Sequence, residues 1–107
     1  MLAAEELSIL QREAAEVRKE AIKMATRAGT GHLGPALGIV DVMWTLYSRH
    51  MKYDPKNPSW ADRDRFILSK GHSCLALYVT LAKKGFFDEE LLKTYCRELE
   101  TRLGGHP

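Results

Sequence analysis

The chain has 107 residues, enough for one small domain, with 45% hydrophobic residues and a formal net charge of +2. That composition excludes disorder, and a balanced charge with no basic stripe among the aromatics excludes a nucleic-acid or membrane-surface module. No apolar run approaches membrane-spanning length, and the acidic, alanine-rich start is unlike a signal peptide. Cys74 and Cys96 stand at a spacing that fits no zinc or redox motif, so two reduced thiols of a cytosolic protein are expected.

Taken in order, Glu5 to Ala28 reads as one long helix. Leu7, Leu10, Ala14, Val17, Ala21, Met24 and Ala28 recur at alternating spacings of three and four, with Ile22 and Ala25 widening the stripe near its end. Its alanines make a weak coiled-coil seam, so the expected partner is the helix's own domain or another subunit. Gly29 suits the residue after the helix, and Arg27 suits its negative end. The run Gly29-Thr30-Gly31-His32-Leu33-Gly34-Pro35 follows as a glycine loop, with Pro35 fitting the first turn of a second helix. That helix, roughly Ala36 to Arg49, is apolar on most sides, as in a helix buried in a larger body. His32 therefore precedes a buried helix start, where it either serves an anion or hydroxyl site or bonds the loop backbone.

Met51 to Ala61 is a connection, marked by Asp54-Pro55 and Asn57-Pro58. The charges Asp62 to Arg65 are either a solvated run or salt bridges at the entry to Phe66-Ile67-Leu68. This apolar triplet is too short for a helix and reads as a buried strand over about Phe66–Ser69. Ser69-Lys70-Gly71-His72 breaks it, and a helix over Ser73–Lys84 resumes with Leu75, Leu77, Tyr78, Val79 and Leu81. A strand feeding a turn that opens a helix places N–H groups where open α/β sheets bind phosphates. Gly85 is then a C-cap candidate and Asp88 an N-cap candidate for a short helix from about Glu89 to Leu99. Gly104-Gly105-His106-Pro107 closes the sequence.

The histidines His32, His72 and His106, each in a glycine-flanked block, offer imidazoles that exchange protons near neutral pH. No His-x-x-x-His pair or recurring carboxylate accompanies them, so no metal site is assigned to these residues. The blocks Gly31-His32-Leu33-Gly34-Pro35, Arg65-Phe66-Ile67-Leu68-Ser69-Lys70-Gly71-His72 and Gly104-Gly105-His106-Pro107, in this order, resemble the amino-terminal part of transketolases. The resemblance runs from about Arg18 to Pro107. Leu33 stands where many transketolases have proline, and the family's metal-binding Gly-Asp-Gly segment has no counterpart among these residues.

This resemblance implies an α/β fold, helix-rich with at least one parallel-sheet strand. Residues 1–107 would be an incomplete amino-terminal portion of the pyrophosphate-binding domain. It implies catalytic roles for His32 and His106 on the sugar substrate, and cofactor-binding roles for His72, Gly71 and Ser69. The implied cofactors are thiamine diphosphate and Mg²⁺, with the metal ligands elsewhere in the protein. The cofactor carries the difficult chemistry and the protein positions and polarises. The implied activity is transfer of a two-carbon ketol unit between sugar phosphates, as in the cytoplasmic pentose phosphate pathway, with no activity from this segment alone. The implied partners are a carboxy-terminal transketolase section or subunit and a second copy in a dimer, with no nucleic acid and no membrane. Two other readings are kept: a fragment similar to 1-deoxyxylulose-5-phosphate synthase, which shares the first Gly-His block, and a non-catalytic helical interaction module derived from the family.

Overall fold

The computed structural model describes residues 3–29, 33–69 and 73–94, and its regular elements are all helical. Helix α1 spans Ala4–Ala28 and buries Leu10, Ala14, Val17, Ala21 and Met24. The heptad-like stripe is thus the core face, except at its start, where Leu7 is 48% exposed; Ile22, expected to widen the stripe near its end, is 43% exposed instead. Gly29 ends the helix in the left-handed region (φ 72°), its N–H donating to the Ala25 and Thr26 carbonyls. Glycine adopts this φ without the Cβ clash that other residues meet.

Helix α2 spans Leu33–Thr45 and places Pro35 in its first turn, where the missing N–H has no intrahelical role. It widens into a π-turn over Leu46–His50, closed by the Met51 N–H donating to the Leu46 carbonyl at 2.8 Å. Ala36, Val40, Met43, Trp44 and Tyr47 are buried, whereas Val42 is 60% exposed. Helix α3 spans Cys74–Lys83 and is buried at Cys74, Leu75, Ala76, Tyr78, Val79, Thr80 and Ala82. Gly85 (φ 90°) turns the chain, and the Phe86 N–H caps the Leu81 carbonyl at 3.0 Å. Asp88 then starts a 3₁₀ turn, Glu89–Thr94, by accepting the Glu90 N–H at 2.9 Å. The expected helix continues to Leu99, but residues beyond 94 lie outside the described set.

The three helices pack on one another around one core. Arg18 pairs with Asp41 at 2.7 Å and Arg49 with Glu6 at 3.8 Å, so α1 runs antiparallel to α2 and its π-turn. Lys84 lies 4.1 Å over the Trp44 ring, and Phe86 meets Tyr47, so α2 and α3 share their C-terminal ends and run in the same sense.

The expected α/β fold is corrected here: no strand occurs among the described residues, and the segment about Phe66–Ser69 is extended chain outside any sheet. A strand exists only by pairing with another backbone. At this segment's entry, the backbone neighbour among the described residues is Lys52. The Asp64 N–H donates to the Lys52 carbonyl at 2.7 Å, and the Lys52 N–H donates to the Asp64 carboxylate at 2.7 Å. The side chain thus takes the bond that a second strand residue would have made. Phe66 and Leu68 pack against the core, while Ile67 between them is 85% exposed. The triplet is half-buried, not buried on both faces.

Candidate functional site

Two helix starts define the site. Gly31-His32 immediately precedes Leu33, the first residue of α2, and Gly71-His72 immediately precedes Ser73, the N-cap of α3. Because α2 and α3 run in the same sense, both N-termini face the end of the bundle where α1 finishes. Each helix start carries about half a positive charge, from N–H groups that have no partner within the helix itself. α1 offsets its own with Glu5 and Glu6 in the first turn, whereas α2 and α3 have no acidic residue there. Arg27, in the last turn of α1, lies on a surface it shares with Glu20, Glu89 and Glu90. The two helix starts themselves therefore favour an anionic group.

Of the residues expected to act, Ser69 is described and stands exposed at the end of the extended segment. His32, His72, Gly71 and His106 lie outside the described residues, so the structure fixes the helix starts that two of these blocks open but no contact of an imidazole. The structure adds Ser73, fully buried at the N-cap of α3 with φ −98° and ψ 16°. Its side chain makes no capping bond, although serine at a helix start is a capping signal and could have singled it out in the sequence. Cys74, beside it, is a buried reduced thiol and part of the core. No group of three metal-ligating side chains occurs among the described residues.

The opposite end of the bundle has a different character. Tyr47, Tyr53, Phe66 and Phe86 cluster there with ring centroids 5.3–6.3 Å apart. Burial raises the Tyr47 hydroxyl above its ordinary pKa, helped by Tyr53, and burial alone raises Tyr53. Burial lowers Lys84, with Glu13 opposing and Arg49 adding to the shift.

The family model described as "Transketolase, thiamine diphosphate binding domain" matches residues 9–107. A 6-deoxy-6-sulfo-D-fructose transketolase subunit of Clostridium sp. (strain MSTE9) is 49% identical over 88 residues, which are 82% of this chain and 32% of that relative. A transketolase of Aquifex aeolicus (strain VF5) is 45% identical over 92 residues, 85% of this chain and 13% of that protein. Transketolase 1 of Escherichia coli (strain K12) is 38% identical over 92 residues, 85% of this chain and 14% of that protein. The chain thus spans about a third of the first relative and about a seventh of the other two.

Proposed function

The chain belongs to the transketolase family, in its thiamine diphosphate binding domain, and on that premise we propose that it is the amino-terminal portion of the pyrophosphate-binding domain of a ketol transferase. The observation that carries this reading is the pair of acid-free helix starts at one end of the bundle, each opened by a Gly-His block. His72, Gly71, Ser69 and Ser73 would hold the diphosphate beside the start of α3, where the helix dipole favours an anion. When bound, thiamine diphosphate supplies the electron sink for breaking and making the carbon–carbon bond. His32 and His106 would orient the sugar hydroxyls and move their protons. Mg²⁺ would be held by residues outside these 107. A ketose phosphate donor, an aldose phosphate acceptor, a homodimeric assembly and a cytoplasmic place in pentose phosphate metabolism complete the proposal.

A second reading concerns the division of the enzyme between chains. The relative at 49% identity carries the word subunit in its name and is less than half as long as the other two, since similar stretches make up 32% of it and 13–14% of them. This supports a subunit that works with a separate carboxy-terminal section.

Turnover of the full-length protein, with and without a carboxy-terminal transketolase section, tests both readings. Ketol transfer from a ketose phosphate or from hydroxypyruvate is expected. Activity with pyruvate instead would favour the deoxyxylulose-phosphate synthase reading. No turnover under any of these conditions would favour the non-catalytic helical module.

A further inference from the structure

The end of the bundle away from the helix starts holds a cavity of about 340 Å³. Its volume lies within the range of small-molecule sites, about 300–1,000 Å³. Tyr47, Tyr53, Phe66 and Phe86 supply its aromatic wall, and Arg63, Asp64 and Arg65 line it as well, two cations against one carboxylate. The aromatic rings meet edge-on or tilted, with Tyr53 and Phe86 5.4 Å apart at 31° and Tyr47 and Tyr53 5.3 Å apart at 65°. A further ring would join such a cluster edge-on or offset, the geometries that aromatic pairs prefer. The Tyr53 hydroxyl donates to the Tyr47 carbonyl at 2.5 Å, which fixes one wall.

Among the described residues, the arginines are held by backbone and not by acids. Arg63 Nη1 donates to the Trp60 carbonyl at 2.7 Å. Arg65 donates from Nη1 to the Arg63 carbonyl and from Nη2 to the Ala61 carbonyl, both at 3.3 Å. Neither guanidinium has a carboxylate within 4.0 Å among the described residues. Asp64, between them in sequence, is turned toward the Lys52 N–H, which donates to its Oδ2. Each guanidinium has five donors, so donors remain on both after these bonds. Two oriented cations beside an aromatic wall match one ligand chemistry, a flat ring carrying an anionic group.

We propose that this cavity is a binding site for small aromatic carboxylates, separate from the anion site at the helix starts. The ring would stack within the aromatic wall, and the carboxylate would take the free guanidinium donors of Arg63 and Arg65. α2 alone is 13 residues long, about 20 Å at 1.5 Å per residue, and this length separates the two ends. A ligand here would leave the cofactor end open.

Calorimetric titration of the full-length protein with indole-3-acetate tests this, with indole-3-acetamide as the neutral comparison and the Arg63→Gln/Arg65→Gln double variant as the control for the charge. The wild-type protein should bind indole-3-acetate with a Kd on the order of 1 mM or tighter. The double variant should bind roughly tenfold more weakly, and the acetamide should resemble it. Affinity for the acetate should fall as salt rises. No heat of binding up to about ten times that Kd would overturn the proposal. So would equal affinity for the acetamide, or an unchanged affinity in the double variant. Both arginines are at least partly exposed, so the variant is expected to fold as the wild type does.

Discussion

Tyr53 and Tyr47 show how one hydrogen bond and one burial set a pH limit. The Tyr53 hydroxyl reaches the Tyr47 carbonyl across a six-residue separation and ties the connection to the π-turn. Replacing Tyr53 with Phe keeps the ring and removes the donor, so urea denaturation should show a loss of about 0.5–1.5 kcal/mol. Both hydroxyls ionise above the ordinary tyrosine value, chiefly because burial disfavours the tyrosinate. A raised folded-state pKa means that the stability they supply is complete below the unfolded value of 10.0 and is lost as pH rises through the folded values. Absorbance at 295 nm should therefore show a late tyrosine fraction that titrates together with loss of structure. Titration of every tyrosine at its ordinary value, with the fold intact, would contradict this.

Helix α1 was legible from its sequence because a helical period is a local property: residues three and four apart share a face whatever lies beyond. Met24→Ala removes a fully buried side chain from that face and should cost about 2–5 kcal/mol in thermal or chemical unfolding. Leu7→Lys, on the same periodic stripe but 48% exposed, should stay within about 0.5 kcal/mol, because at that point the stripe has run past its partners. The turn chemistry at Gly29, Gly85 and Asp88 was legible for the same reason, since each acts through neighbours a few residues away. The triplet Phe66-Ile67-Leu68 was not. Its pattern fits extended backbone, and Phe66 and Leu68 do face the core, but the other half of a strand is a partner that no local pattern names. The π-turn at Leu46–His50 was equally hidden, because one extra residue in a turn leaves the apolar pattern almost unchanged. Inside α3, the hydroxyl of fully buried Thr80 has no hydrogen-bond partner among the described residues. Thr80→Val should raise stability by about 1–3 kcal/mol; a fall in melting temperature would show that the hydroxyl is paired in the assembled protein.

At the scale of the whole molecule, the helical core brings two helix starts to one end, while the chain spans about a seventh of the full-length transketolases it matches. The 107 residues on their own should therefore show no Mg²⁺-dependent thiamine diphosphate binding, and calorimetry giving micromolar, metal-dependent affinity would contradict this. Three Gly-His blocks marked the candidate site in the sequence, and their histidines lie outside the described residues; what no local pattern announced is the shared sense of α2 and α3, which is set by packing at their far ends through Trp44 and Lys84. The most direct measurement of the account is kcat for His72→Ala and His32→Ala in the full-length enzyme at saturating thiamine diphosphate. His72→Ala should bind cofactor roughly ten- to hundredfold more weakly, from the loss of one charge-assisted bond, and regain turnover when cofactor is in excess. His32→Ala should stay about a hundred- to ten-thousandfold slower however much cofactor is added. If His32→Ala recovers with excess cofactor while His72→Ala stays slow, the start of α3 is not the phosphate end and the assignment is contradicted.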